Sequence, residues 1–258
     1  MSSIPFDRAA DYYDRTRGLT KEGARRTNAL LVGELRGRGP ILEIGVGTGQ
    51  LALPLSESGL PVVGLDLARP MMERLVAKAG GSLPVPLVQG DATNAPLRDD
   101  AFGGAYLRWV LHLIPDWPTV ASELVRVVRP GGVILANHGS KGTGPRAAIH
   151  EHFAEAAGLA TSDPVGLAWN DGDALDDAMR RLGATPRELP PFIDVERDNA
   201  DAFMTALEQN LHSWEWSLAD DVRARAAAET RAWAEGEFGP LDAVSRAEHP
   251  VVWRAYDV

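Results

Sequence analysis

Residues 41–49 read Ile41-Leu42-Glu43-Ile44-Gly45-Val46-Gly47-Thr48-Gly49. A short, largely apolar run of the kind that forms a buried strand is followed at once by three glycines in five residues. Glycine has no Cβ, so it takes positive φ at little cost and lets backbone come close to another group. A helix starting just after such a turn presents backbone N–H groups with no intrahelical acceptor, and these favour a polar or anionic ligand. A tight strand-to-helix turn alone needs fewer glycines than this.

The neighbouring segments repeat the pattern. Pro61-Val62-Val63-Gly64-Leu65-Asp66 reads as a second strand ending at an acid, and Val85 to Gln89 as a third ending at Gly90-Asp91. Phe102 to Arg108 and Val133 to Asn137 read as a fourth and a fifth. Helix-sized segments separate them. In one, Trp117, Val120, Leu124 and Val127-Val128 mark a single buried face, and Arg129-Pro130-Gly131-Gly132 then stops it. Thr20 to Leu35 and Ala68 to Ala79 read as two more. Strands alternating with helices predict βαβ units and a parallel sheet. Pro54 falls inside the helix after the glycine turn and predicts a kink, or regular helix only in its later part.

Beyond residue 139 the character changes. Helices are predicted around Ala147 to Ala157, Gly172 to Leu182, Ala200 to His212 and Asp220 to Glu235. Pro186 to Asp198 and Val244 to Tyr256 read as extended segments forming an antiparallel pair.

Composition narrows the function. The chain has 258 residues, enough for one α/β domain with a generous core. Acidic residues outnumber basic ones 36 to 26, for a net charge of −10, which disfavours nucleic acid as a partner. With no cysteine there are no disulfides, thiolate metal sites or cysteine nucleophiles. No apolar leader and no run long enough for a membrane span is visible, so the expectation is a cytoplasmic protein.

Asp66 has the chemistry to accept hydrogen bonds from two ribose hydroxyls, and equally to cap the next helix. A dinucleotide fingerprint, G-x-G-x-x-G/A, would put its third small residue at Gln50, whereas the glycine falls at Gly49. The departure points toward a nucleoside ligand without a pyrophosphate.

Taken together, Glu43-x-Gly45-x-Gly47-x-Gly49, Asp66, Gly90-Asp91-Ala92 and Arg129-Pro130-Gly131-Gly132 resemble the class I S-adenosylmethionine-dependent methyltransferases. Most similar is the small-molecule group that includes ubiquinone and menaquinone biosynthesis-type enzymes, over residues 6–138. The resemblance implies a Rossmann-like, seven-stranded, mostly parallel α/β sheet with helices on both faces. It implies S-adenosyl-L-methionine as cofactor and S-adenosyl-L-homocysteine as product. By that resemblance Gly45 and Gly47 line the methionine part, with Glu43 beneath them. Asp66 holds the ribose, and Leu67 and Met71 flank the adenine. Asp91 accepts from the adenine amino group, Ala92 gives a backbone N–H to the ring, and Arg108 supplies backbone near the methionyl amine. The segment around Tyr13-Asp14 and Arg17 resembles that group's entry segment, which brings Tyr13 and Arg17 toward the cofactor carboxylate.

The resulting expectation is one methyltransferase domain over 1–258, with cap helices in 1–36 and a cofactor-binding core in 40–138. Insertions at 139–170 and 199–238 are expected to form a helical lid. The reaction is methyl transfer to oxygen, nitrogen or carbon of a small, apolar or aromatic acceptor, by a monomer or homodimer. A non-catalytic cofactor-binding module, or an enzyme using the bound cofactor for a non-methylating reaction, are the alternatives. His112 and His138, each just past a strand end, are the candidate bases. No metal is expected: His150 and His152 are two residues apart on a helix and point different ways. Phe153, Trp169, Trp214 and Trp216 fit an aromatic acceptor pocket or ordinary packing.

Overall fold

The structure, a computed structural model, describes residues 3, 6–139, 142–159, 166–168 and 171–258, apart from the side chains of His138 and Asp198. Asp7–Ala9 is a 3-10 turn and α1 is Tyr13–Thr16; α2, Lys21–Leu35, starts at Thr20, whose hydroxyl accepts from the Gly23 N–H at 3.0 Å. Then follow β1 (Ile41–Ile44), α3 (Ala52–Glu57), β2 (Val62–Asp66), α4 (Arg69–Lys78), β3 (Leu87–Gln89) and β4 (Phe102–Arg108). Next come α5 (Trp117–Val127), β5 (Val128–His138), α6 (Pro145–Ala156), α7 (Gly172–Arg181) and β6 (Thr185–Glu188). The chain continues with β7 (Phe192–Asn199), α8 (Ala200–Glu208), α9 (Asp220–Phe238) and β8 (Val244–Asp257).

The sheet runs β3-β2-β1-β4-β5-β8-β6, with β7 paired to β8. β1 lies parallel to β2 and β4, β2 to β3 and β4 to β5, while β8 is antiparallel to β5 and β6. Strand order reverses between β1 and β4, so a crevice opens at their carboxyl ends, the usual place for a ligand in such sheets.

Period-two alternation divides the core. Leu42, Ile44, Ala105, Leu107, Ile134 and Ala136 pack on one face with Val120 and Leu124 of α5 and Leu175 of α7. Ile41, Tyr106, Val133 and Leu135 pack on the other with Leu31 and Leu35 of α2, Leu55 of α3 and Leu75 of α4. Both faces are covered, which is why these strands are almost wholly apolar.

Among the described residues the strand count is eight, not seven. The segment 186–198 breaks at Pro190-Pro191, which have no N–H to give to a ladder, and becomes β6 and β7. α8 stops at Glu208, short of His212, and Asn210 follows at φ 57°. Pro54 causes no break, because it lies in the first turn of α3, where a backbone donor has no intrahelical acceptor.

The chain divides into two compact units. The first, Met1–Gly139, Pro164–Phe192 and Val251–Val258, holds the parallel sheet. The second, Ser140–Asp163 and Ile193–Pro250, contains α6, α8 and α9 around Ile149, Phe153, Met204, Leu207, Ala226 and Ala234. Among the described residues no helix is long and apolar enough to cross a membrane.

Candidate active site

A cleft opens at the carboxyl ends of β1, β2 and β4. Gly45 turns the chain out of β1 at φ 71°, and a Cβ there would stand 2.4 Å from Val110 Cγ2. Only glycine fits both the dihedral and the space. Gly47 lines the cleft beside it, at φ 52°.

Asp66, the last residue of β2, is fastened by both oxygens. The Gly47 N–H donates to Oδ2 at 2.7 Å and the Ala68 N–H donates to Oδ1 at 2.8 Å. Burial raises its pKa, and those backbone donors pull the other way. A carboxylate has about four lone-pair sites, so acceptor capacity remains on the cleft side. Asp66 thus ties the glycine turn to the start of α4 and lines the cleft as well.

Leu67 and Met71 form an apolar wall. Across from them Asp91 caps the short turn Ala92–Asn94, its Oδ1 accepting from the Thr93 N–H and hydroxyl at 2.9 Å each. The Ser3 hydroxyl stands 3.3 Å from both Asp91 oxygens, and Ala92 is buried beside it. Tyr13 meets Phe6 edge-on at 6.0 Å. Burial raises the Tyr13 hydroxyl pKa, against the fields of Arg108 and Arg17. Arg108, at the end of β4, lays its guanidinium 3.6 Å from the centre of the Trp109 ring.

Nine of the eleven residues expected to hold a cofactor therefore line one cleft: Tyr13, Gly45, Gly47, Asp66, Leu67, Met71, Asp91, Ala92 and Arg108. Glu43 and Arg17 stand outside the lining. Glu43 is buried under the turn, accepting from the Tyr106 hydroxyl of the adjacent strand at 2.7 Å. Burial pushes its carboxyl up to about 8, only partly offset by the Tyr106 bond. Arg17 donates to the Thr16 carbonyl at 3.3 Å, and its own carbonyl accepts from Gln50 Nε2 at 3.0 Å.

Asp14 has a part that sequence reasoning did not assign to it. Its carboxylate accepts from Thr48 Oγ1 at 2.6 Å, Gln50 Nε2 at 3.0 Å and Lys78 Nζ at 3.0 Å, tying α1 to the glycine turn and to α4. Burial opposes the charge, but those three bonds hold its pKa below the usual carboxylate range. Trp109 and Val110 were missed too, although they form the far wall of the cleft. Trp109 stands at φ 58°, which no residue-type signal announces in a bulky side chain.

His112 lies elsewhere. It lines a second, smaller cavity, with Leu107, Trp109, Val110, Leu111, Asn137, Gly139, Leu167, Ala168 and Leu175. Burial pushes its imidazole down to about 3, with help from the Arg17 charge, so the ring is neutral near pH 7. Backbone bonds hold the segment that brings Leu167 to this cavity: the Gly166 N–H donates to the His112 carbonyl at 3.0 Å and the Leu167 N–H to the Leu111 carbonyl at 3.1 Å. His138 ends β5 opposite Val252, and its side chain lies outside the described residues, as does Trp169.

In the second unit His150 meets Trp214 edge-on at 4.6 Å, while His152 stacks on Trp233 at 4.2 Å. The two histidines have different ring partners. Phe153 and Trp214 belong to that unit's apolar core, and Trp216 is partly buried.

The methyltransferase domain family matches residues 42–136, from β1 to the end of β5. A phosphatidylethanolamine N-methyltransferase of Cereibacter sphaeroides is 34% identical over 179 residues, 68% of this chain and 81% of that protein. A demethylmenaquinone methyltransferase of Desulfitobacterium hafniense is 33% identical over 54% of this chain, and the match spans 59% of that relative's length. Among solved structures, the YcgJ protein of Bacillus subtilis superposes with a TM-score of 0.61 over 90% of this chain and 97% of its own, at 17% identity. That last likeness is one of fold.

Proposed function

The chain belongs to the class I S-adenosylmethionine-dependent methyltransferases, and on that premise we propose which of its residues hold the cofactor and what acceptor they serve. The activity is methyl transfer from S-adenosyl-L-methionine to a small molecule, with S-adenosyl-L-homocysteine left behind. When bound, the cofactor supplies an electrophilic methyl carbon; the acceptor's electron pair bonds to it as the carbon–sulfur bond breaks and sulfur keeps that pair.

The residues fit such a group. The observation that carries the assignment is Asp66, fixed through Gly47 and Ala68 yet lining the cleft. Its remaining lone pairs would accept from ribose hydroxyls. Gly45 and Gly47, both at positive φ in the cleft lining, would let the backbone come close to the methionine part. Met71 and Leu67 would hold the adenine faces, with Asp91 accepting from the amino group and the Ala92 N–H meeting the ring. Arg108 and Tyr13 would bound the methionine end; Arg17 would act there as a nearby cation rather than as a wall. Glu43 would act from beneath, through the turn.

The acceptor we propose is small and apolar or aromatic. No strong base is required of the chain: holding the acceptor in line and keeping water away supply much of the rate. His112, neutral and weakly basic, would serve as a hydrogen-bonding partner; His138 is the other candidate.

Titration calorimetry of the purified chain with S-adenosyl-L-homocysteine tests the assignment. Saturable one-to-one binding is expected, weakened by about tenfold or more in Asp66→Ala and in Asp91→Ala. No heat of binding from a folded sample would overturn it.

A further inference from the structure

The second cavity is built from different material than the cleft beside it. Its apolar lining is Leu107, Leu111, Leu167 and Leu175 with Ala168. Its polar side chains are His112 and Asn137, and no Asp, Glu, Lys or Arg lines it among the described residues. The Asn137 amide N–H donates to the Val252 carbonyl at 2.9 Å, which orients the side chain and leaves its Oδ1 as an acceptor. The imidazole beside it carries no charge near pH 7. A charged ligand group here would lose its hydration and find no charged side chain in the described lining to bond to; the Arg17 charge reaches His112 only from outside that lining. An apolar body with one hydroxyl loses little and gains a hydrogen bond.

The wall between the two cavities is held in place. Trp109 and Val110 line both. Trp109 keeps a left-handed backbone, at φ 58°, that a bulky residue adopts only when its surroundings impose it. Arg108 covers one face of its ring, and Val110 fills the space above Gly45. Gly166, next to the lining residues Leu167 and Ala168, packs so tightly that a Cβ would stand 2.1 Å from the Leu111 carbonyl oxygen. Strain beside a ligand cleft is a mark of function.

We propose that this second cavity is the methyl-acceptor site, that it takes an uncharged apolar molecule presenting a hydroxyl, and that Trp109 is the residue positioning that molecule against the cofactor cleft. Methylation at that hydroxyl would form the oxygen–carbon bond as the carbon–sulfur bond breaks, and the hydroxyl proton would leave by way of a ring nitrogen of His112, the one titratable side chain in the described lining, to solvent. The proposal rests on the cofactor assignment above.

The probes are 2-naphthol, 2-naphthoate and 2-naphthyl phosphate, titrated calorimetrically into the full chain saturated with S-adenosyl-L-homocysteine. The expected result is that 2-naphthol binds about tenfold more tightly than either anion. Ala168→Trp, which fills the cavity from a partly exposed position, is expected to weaken 2-naphthol by about tenfold and Ala168→Leu by less, both leaving the melting temperature and the affinity for S-adenosyl-L-homocysteine unchanged. Equal or tighter binding of the anions overturns the proposal. So does absence of 2-naphthol binding, or an affinity indifferent to both substitutions. Failure of S-adenosyl-L-homocysteine itself to bind overturns the cofactor assignment, and this proposal with it; the naphthol results bear on the acceptor alone.

Discussion

The two cavities share Trp109 and Val110 and differ in how they are made. The larger is shaped by backbone: two glycines at positive φ, and acids at strand ends clamped to N–H groups. The smaller is shaped by side chains that any apolar core supplies, with one aromatic residue held in a strained conformation. Backbone-made sites demand particular residue types at particular positions. Sites made by side chains tolerate many, and their identity lies in the arrangement. Gly45→Ala attacks the first kind directly, since the new Cβ meets Val110 Cγ2 and the φ of 71° is disfavoured with a side chain. The affinity for S-adenosyl-L-homocysteine should fall by about a hundredfold or more, with about 2 kcal/mol lost from stability. Because Val110 must move, 2-naphthol should weaken as well. Wild-type affinity by calorimetry would show that the turn has slack the structure does not reveal.

Asp66→Asn separates the two cavities. The amide keeps one acceptor oxygen, but its NH₂ group faces a backbone N–H, so either Gly47 or Ala68 loses its partner. That costs about 1–3 kcal/mol for a bond to a charged group. A loss of about thirtyfold in S-adenosyl-L-homocysteine affinity is expected, with 2-naphthol affinity measured on the unliganded chain hardly changed. An equal loss of both would mean that the cavities are one coupled site, and the contrast drawn above would fail.

What was legible in the sequence follows the same division. Gly45, Gly47, Asp66 and Asp91 were readable because each sits where a strand ends and the backbone imposes a rule. The strands were readable because burial on both faces leaves little but apolar residues in them. Trp109 was not, since nothing in a tryptophan announces a left-handed φ. His112 was placed correctly past β4, yet it lines the neighbouring cavity, because the short turn Leu111–Leu113 carries it off the cleft wall. Glu43 was expected beneath the glycines and is there, but the alternation of β1 turns it to Tyr106 instead of the cleft. Arg17 donates to the carbonyl of its neighbour Thr16, a bond that nothing in the residue type of a long flexible side chain announces. The proline pair at 190–191 carried its warning in plain residues, and the eighth strand follows from it.

The smallest expected effect contrasts two buried groups on opposite sides of that division. Glu43 has a pKa raised from 4.5 to about 8, so the folded chain keeps a proton that the unfolded chain has shed. Its contribution to stability is whole below 4.5 and is lost as pH rises toward 8. His112 has a pKa lowered from 6.5 to about 3, so the unfolded chain takes up a proton that the folded chain refuses. Its contribution is whole above 6.5 and is lost as pH falls toward 3. Between 4.5 and 6.5 the two slopes oppose each other, and each hides the other in the wild-type chain. Single substitutions uncover them. His112→Gln removes the acid-side loss, so relative to wild type it should gain about 1 kcal/mol on going from pH 6.5 to pH 5.5. Glu43→Gln, which keeps an acceptor for the Tyr106 hydroxyl, should gain relative to wild type as pH rises from 5.5 to 7.5. Denaturant melts across this range measure both. Parallel curves for wild type and His112→Gln would mean that the imidazole is solvated enough to titrate normally, and a cavity that admits water that freely would not select an uncharged acceptor.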